Sequence, residues 1–195
     1  MPTVSTNEMK IITDGNVTTP KGFTAGGLHC GIKRKRSDLG WLYSNTPATC
    51  AGVYTLNQFQ AAPLQVTKES IAVEQKIQGV IVNSGVANAC TGKQGLIDAY
   101  TMRKEFADKI GVKEHYVAVA STGVIGTCLP MEKIKNGIEQ IHAEEHQGGK
   151  NFSKAILTTD TVEKNIAVQI QIDGKTVSIG GTAKGSGMIH PNMAT

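Results

Sequence analysis

The stretch NIAVQIQIDGKTVSI, Asn165–Ile179, consists of two alternating runs separated by Asp173-Gly174. Alternation at period two sends successive side chains to opposite faces of a strand. Asp-Gly supplies the two positive-φ residues that a tight hairpin turn needs, so Asn165–Ile172 and Lys175–Ile179 read as an antiparallel pair. Upstream, AILT at Ala155–Thr158 reads as a strand entering TTDT, 158–161. Before it, 130–145 reads as a helix with Ile134, Ile138 and Ile141 on one face, ended by Gln147-Gly148-Gly149. HYVAVAS predicts a buried strand over Tyr116–Ala120, and GVIVNSG another over 79–85. Between them, Gly92–Gly111 carries Leu96, Ile97, Tyr100, Phe106 and Ile110 at amphipathic-helix spacing, closed by Gly111. A further helix is expected over Thr67–Gln78, and FTAGGLHCGIK, DLGWLYS and CAGVYTL read as strands within 23–66. Residues 1–22 read as an irregular arm with one short strand. Hairpins outnumber plain crossovers, so the expected fold is α/β with mixed sheets and helices outside them, rather than a doubly wound parallel sheet.

Composition agrees. The 195 residues include 22 glycines, with 39% hydrophobic and only 5% aromatic residues, which suits one turn-rich domain over 1–195. The net charge of +4 is too mild to announce a nucleic-acid partner. No apolar run is long enough to span a bilayer and MPTVSTNEMK has no apolar signal core, so a cytoplasmic location is expected. Cys30, Cys50, Cys90 and Cys128 form no C-x-x-C and no zinc spacing, and are read as reduced, buried thiols. His142 and His146 stand four apart near a helix end beside Glu144 and Glu145, with no third ligand in view, so no metal site is expected. Lys33-Arg34-Lys35-Arg36 reads as a solvated hairpin tip.

Three strand-to-loop junctions put hydroxyls and glycines where buried strands end: NSGVANACTG (83–92), STGVIG (121–126) and TTDT (158–161). Loops on a rigid scaffold are where chemistry concentrates, although each junction alone is also an ordinary turn. The fourth segment is the end of the sequence, GGTAKGSGMIHPNMAT, a glycine-rich loop over 180–195. Its glycines fit neither a Walker loop nor a dinucleotide loop around Lys184, and Pro191 stands where a helix would follow. A different chemistry suits it. The Thr195 hydroxyl can attack the carbonyl of Ala194, turning the peptide bond into an ester that water splits. The new terminal threonine then carries its nucleophile and a general base, its own α-amine of pKa about 7.7–8.0, on one residue. Small residues upstream let the backbone bend. From the residues alone, this reading and an ordinary strand and turn both stay open.

Several motifs together resemble the ornithine acetyltransferase family, the glutamate N-acetyltransferases of the cyclic arginine pathway. KGSGMIHPNMAT is similar to that family's self-cleavage motif, with scission between Ala194 and Thr195. GVIVNSGVANACTG, VAVASTGVIG, ILTTDT and PATCAGVYTLNQFQAAPL resemble four more of its segments, in order, from about residue 15 onward. The resemblance implies a sandwich of mixed sheets flanked by helices and completed by a separate β chain of the same precursor, in an α2β2 or larger assembly. It implies Thr195 as nucleophile after cleavage, Thr122 and Gly123 as the oxyanion hole, and Thr158, Lys184 and Thr195 as substrate contacts. The activity implied is ping-pong transfer of acetyl from N-acetylornithine to glutamate with no cofactor; whether acetyl-CoA also donates stays open. Val86 departs from the family, which usually has Asn there, and in this sequence Thr195 is joined to Ala194. Two rivals are a self-processing amidohydrolase or aminopeptidase, which would pass the acyl group to water, and a non-catalytic assembly subunit.

Overall fold

The computed structural model describes residues 9–142 and 148–185. Strands β1 (Lys10–Ile11), β2 (Phe23–Leu28) and β3 (Leu39–Thr49) precede helix α1 (Ala62–Glu74); β4 (Lys76–Val86) leads through α2 (Gly92–Ile110) to β5 (Val117–Val124). Helices α3 (Met131–Glu139) and α4 (Gly149–Ala155) follow, then β6 (Lys164–Ile172) and β7 (Lys175–Ala183). The strands form two sheets, β1-β6-β7 and β2-β3-β4-β5. The expected α/β architecture of mixed sheets and outer helices is the one observed. The four-stranded sheet is mixed, antiparallel except for β4 and β5, while the three-stranded sheet is wholly antiparallel.

The period-two pattern decides what each face of the larger sheet meets. Leu39, Trp41, Ile81, Val117 and Val119 point to one side, against Val66, Met102, Phe106, Ile134 and Ile138 of α1, α2 and α3. Ala25, Leu42, Val80 and Val82 point to the other, against Phe152 and Ile156 at α4. Helix α4 comes so close that a Cβ on Gly27 would lie 2.7 Å from the Ala155 methyl, and one on Gly40 3.0 Å from Phe152. Glycine at these two positions is what lets a seven-residue helix seat on the strands. On the outer edge of β5, Thr67 of α1 both donates to and accepts from the Val119 backbone at 2.9 Å, satisfying groups that a further strand would otherwise take.

The hairpin is as expected and extends further: β6 and β7 pair from Lys164↔Ala183 to Ile172↔Lys175, with Asp173 at φ 49° and Gly174 at φ 74° in the turn. Helix α2 ends where Gly111 takes φ 70°, although Ile97 lies on its exposed side. Helix α1 runs Ala62–Glu74 rather than Thr67–Gln78, because Pro63 starts it and Gln75, at φ 53°, ends it. Two expectations fail. Residues 50–56 form no continuous strand, for their apolar side chains, Val53 and Leu56 among them, are exposed. Ala155–Thr158 is not a strand either: Gly148 and Gly149 begin α4, which runs through Ala155, and its apolar residues pack at helical spacing as Phe152, Ala155 and Ile156. The helix after Pro130 ends at Glu139, with Ile134, Ile138 and Ile141 buried together.

Candidate active site

Because β4 and β5 run parallel in register, their carboxyl ends emerge side by side: Ser84 beside Thr122, Gly85 beside Gly123, Val86 beside Val124. Open α/β sheets collect ligands at such strand ends. The pairing joins two of the loops singled out in the sequence, and two bonds continue it past the strands, Ala87 N–H to the Val124 carbonyl (2.9 Å) and Gly126 N–H to the Ala89 carbonyl (2.8 Å). Asn83, fully buried, braces the turn by donating to the Val86 carbonyl (2.8 Å) and accepting from Ser121 Oγ (2.5 Å). Gly123 has φ 136°, and a Cβ there would overlap the Gly85 carbonyl and lie 2.7 Å from Val86 N. Only glycine fits, so the peptides around residue 123 are held in one orientation by the neighbouring strand. Val86 packs against the main core, which accounts for an apolar residue there in place of Asn.

Lys184 follows β7 and donates from Nζ to Thr122 Oγ1 at 2.9 Å. An ammonium can only donate, so the Thr122 oxygen accepts and its own proton stays free for another acceptor. The positive charge beside the oxygen makes that proton a stronger donor. Lys184 is itself anchored through Gly185. Asp160, almost fully buried, accepts from Gly185 N–H at 2.6 Å and lies 3.4 Å from Lys164 Nζ, which in turn donates to the Gly185 carbonyl at 2.9 Å. Asp160 and Lys164 hold the backbone next to Lys184, and neither is among the candidate site residues that the sequence offers; the one signal for Asp160 is its place inside TTDT.

Thr158 arrives from the end of α4. Its carbonyl accepts from Arg36 Nη2 at 2.9 Å, and the Ala155 carbonyl accepts from Ser84 Oγ. This corrects the reading of Lys33–Arg36 as a solvated tip. The run does cap the β2–β3 hairpin, and Arg34 and Lys35 are exposed, but Lys33 turns inward onto the 155–158 backbone. Burial and the Arg36 charge lower the Lys33 pKa to about 8; Lys184 adds to this and Asp38 opposes it. Asp38 is fully buried, accepting from Cys30 N–H (2.6 Å) and Lys33 N–H (2.8 Å). Burial and then Asp38 push the Cys30 thiol up to about 12, so it is an inert packing group.

The structure therefore joins Thr122, Gly123 and Lys184 at one end of the β4–β5 pair, and Thr158 follows three residues after Ala155, whose carbonyl is held by Ser84, the strand neighbour of Thr122. Ala194 and Thr195, the expected scission site and nucleophile, lie outside the described residues, as does His146. Among the described residues, no group of three or more His, Cys, Asp or Glu side chains is arranged to hold a metal, and no helix is long and apolar enough to cross a membrane. The four cysteines are free thiols, but their expected burial fails: Cys90 and Cys128 are exposed, and Cys30 and Cys50 are half-buried.

The model of the ArgJ family matches residues 24–195. Among curated relatives, the arginine biosynthesis bifunctional protein ArgJ of Oceanobacillus iheyensis is 58% identical over 195 residues, covering 100% of this chain and 48% of the relative. That of Halalkalibacterium halodurans is 62% identical, covering 97% and 46%. The chain thus spans about half the length of the curated relatives it matches. A crystal structure of ArgJ from Bacillus halodurans superposes with a TM-score of 0.94 at 60% identity, covering 97% of this chain and 100% of that one. The ornithine acetyltransferase of Mycobacterium tuberculosis, solved with ornithine, gives 0.86 at 35% identity, covering 96% and 100%.

Proposed function

The chain belongs to the ArgJ family, and from that premise we propose that it is the N-terminal half of a self-processing threonine acetyltransferase that moves acetyl from N-acetylornithine to glutamate. The observation that carries this reading is the Lys184–Thr122 bond at the head of Gly123. It sets a polarised hydroxyl beside a glycine whose backbone cannot turn away, which is what a developing oxyanion needs. Each such donor is worth a factor of about 10² to 10³ in rate.

In the first half-reaction the Thr195 oxygen attacks the acetyl carbonyl of N-acetylornithine. The tetrahedral oxyanion sits on Thr122 O–H and Gly123 N–H. The C–N bond then breaks, and ornithine leaves with the proton relayed by the Thr195 α-amine. In the second, the glutamate amine attacks the acetyl ester and the Thr195 oxygen departs, taking a proton back. The route balances with no cofactor. Thr158 and Lys184 hold the amino-acid part, the ammonium of Lys184 facing a carboxylate. Self-processing uses the same groups earlier: Thr195 Oγ attacks the Ala194 carbonyl, and hydrolysis of the ester frees the α-amine. Two facts about relatives support division near this point. The curated relatives are about twice this length, whereas in the two solved structures the matched chain is covered completely.

The partner is the remaining half of the same precursor, in a two-chain unit that assembles further in the cytoplasm. One surface suits it. Strict alternation puts Ile11, Ile166, Val168, Ile170, Val177 and Ile179 on one face of the β1-β6-β7 sheet, and that face is open: Ile11, Ile166 and Ile179 are each more than half exposed. Contiguous exposed apolar side chains of this kind suit burial against another chain.

The deciding experiment is the intact mass of the full-length protein beside Thr195→Ala. Two chains from the first, one ending at Ala194, and a single chain from the variant are expected. Acetyl transfer to glutamate is then measured against release of acetate to water, with N-acetylornithine and with acetyl-CoA as donors. Equal splitting of both proteins, or none in either, overturns the self-processing reading. Acetate release without transfer makes the protein a hydrolase.

A further inference from the structure

Lys33 is the one cation of the 33–36 run whose ammonium is turned inward, and its three protons meet three carbonyls: Leu157 at 2.5 Å, Ser37 at 2.9 Å and Ala155 at 3.5 Å. Two of these belong to the end of α4, immediately before Thr158. A positive charge there also complements the exposed carbonyls of a helix C-terminus. The neighbouring bonds converge on the same four residues: Ser84 Oγ donates to the Ala155 carbonyl, and Arg36 to that of Thr158. Ser84 pairs directly with Thr122. Lys33 is fixed in turn by its own N–H on Asp38 Oδ2, and the Asp38 carbonyl accepts from Ser84 N–H at 2.8 Å.

We infer that Lys33 is a positioning residue: its ammonium clamps the 155–157 backbone to the β2–β3 turn and so fixes Thr158 relative to Thr122 and Lys184. The inference rests on the acetyltransferase reading for its kinetic consequence, but the clamp itself does not depend on the chemistry. Nothing in this role touches substrate or the reacting atoms.

The clamp has a pH limit. Burial, Arg36 and Lys184 lower the Lys33 pKa to about 8, while Asp38 raises it. The other titratable groups around the turn are His29, 3.7 Å from Asp38, and Lys133 of α3, which donates to the Gly31 carbonyl at 2.8 Å. Above about pH 8 the amine keeps two protons for three carbonyls and loses its charge. The grip on Leu157 and Ala155 weakens, although the fold around it has no reason to open.

The test uses the full-length protein, its Lys33→Met and its Lys33→Arg variants. Hydrogen exchange read by mass spectrometry is expected to show faster exchange confined to peptides covering 155–160 in Lys33→Met, and restored protection in Lys33→Arg. In the transfer assay, the KM for N-acetylornithine is expected to rise at least tenfold in Lys33→Met, with a smaller change in kcat. For wild type, KM is expected to climb above about pH 8; for Lys33→Arg, whose guanidinium stays charged, it should remain flat. If Lys33→Met does not fold, wild type at pH 7 and 9, corrected for intrinsic exchange, supplies the same comparison against Lys33→Arg. Unchanged exchange at 155–160 overturns the clamp. Faster exchange there with an unaltered KM overturns its bearing on the site. If wild type transfers no acetyl group, the functional reading fails and the exchange data alone decide the clamp.

Discussion

Replacing Gly123 with alanine tests the core of the site, because two independent costs can be read off its surroundings. At φ 136° an L side chain is strained, which costs about 1–3 kcal/mol. The new Cβ would also stand 2.7 Å from Val86 N and overlap the Gly85 carbonyl. Reaching an ordinary contact of 3.4 Å at Val86 alone means opening the strand ends by about 0.7 Å, an overpacking cost of about 1–3 kcal/mol. Together these remove roughly 2–6 kcal/mol from a stability of about 5–15 kcal/mol. The displacement falls on the peptide that would bind the oxyanion, so a loss of about 10² to 10³ in kcat accompanies it. Gly126→Ala is the control: φ is 78° but, chain neighbours aside, no atom of the described residues lies within 4 Å of the added carbon, so only the left-handed backbone cost of about 1–2 kcal/mol applies. Thermal melting and acetyl-transfer kinetics on the processed full-length proteins measure both effects. Gly123→Ala with kcat within threefold of wild type would refute the placement of the oxyanion at this peptide. A melting loss equal to that of Gly126→Ala would refute the steric argument.

Three other outcomes are expected. Thr122→Val should lower kcat about 10² to 10³-fold while changing stability by less than about 1 kcal/mol, since one oxyanion donor goes and the packing volume stays, as steady-state kinetics and melting can check. Asp38→Ala leaves the Cys30 and Lys33 amides without their acceptor and should cost about 2–4 kcal/mol; it should also bring the Cys30 thiol down from about 12, because two of the groups' three raising influences come from Asp38, so alkylation of the Cys30 peptide becomes measurable at lower pH. Ile179→Glu, on the open sheet face, should leave this half folded yet prevent its co-elution with the remaining half in size-exclusion chromatography.

What the sequence made legible was local, and so was what it hid. Asp173-Gly174 could be read as a turn because its chemistry is contained in two residues, and Gly111 as a helix end for the same reason. Ala155–Thr158 was misread because four apolar and small residues carry no period of their own. Packing of Phe152 and Ala155 onto Gly40 and Gly27 is what carries helix α4 through Ala155, after which 156–158 turns out of the helix. Lys33 looked like solvent because its three acceptors are backbone carbonyls, two of them more than 120 residues away, and carbonyls leave no trace in a sequence.

The site depends on an exception to the pattern that gave the fold. Alternation and hairpin turns predict antiparallel neighbours, and most described strands obey. Antiparallel neighbours, however, send their carboxyl ends in opposite directions, so loops following two such strands cannot meet. Among the described strands, only β4 and β5 are parallel, and they are parallel because α2 carries the chain back between them. That single crossover sets NSGVANACTG beside STGVIG and places Gly123 against Gly85. The antiparallel elements supply the rest from their ends: the β2–β3 turn brings Lys33 and Asp38, and the end of β7 brings Lys184 to Thr122. Lengthening the α2–β5 connection should therefore be tolerated while the β4–β5 register holds. A one-residue slip in that register would put Ser121 where Thr122 meets Lys184, and would replace the tight Gly85–Gly123 approach with a threonine that the strand cannot accept.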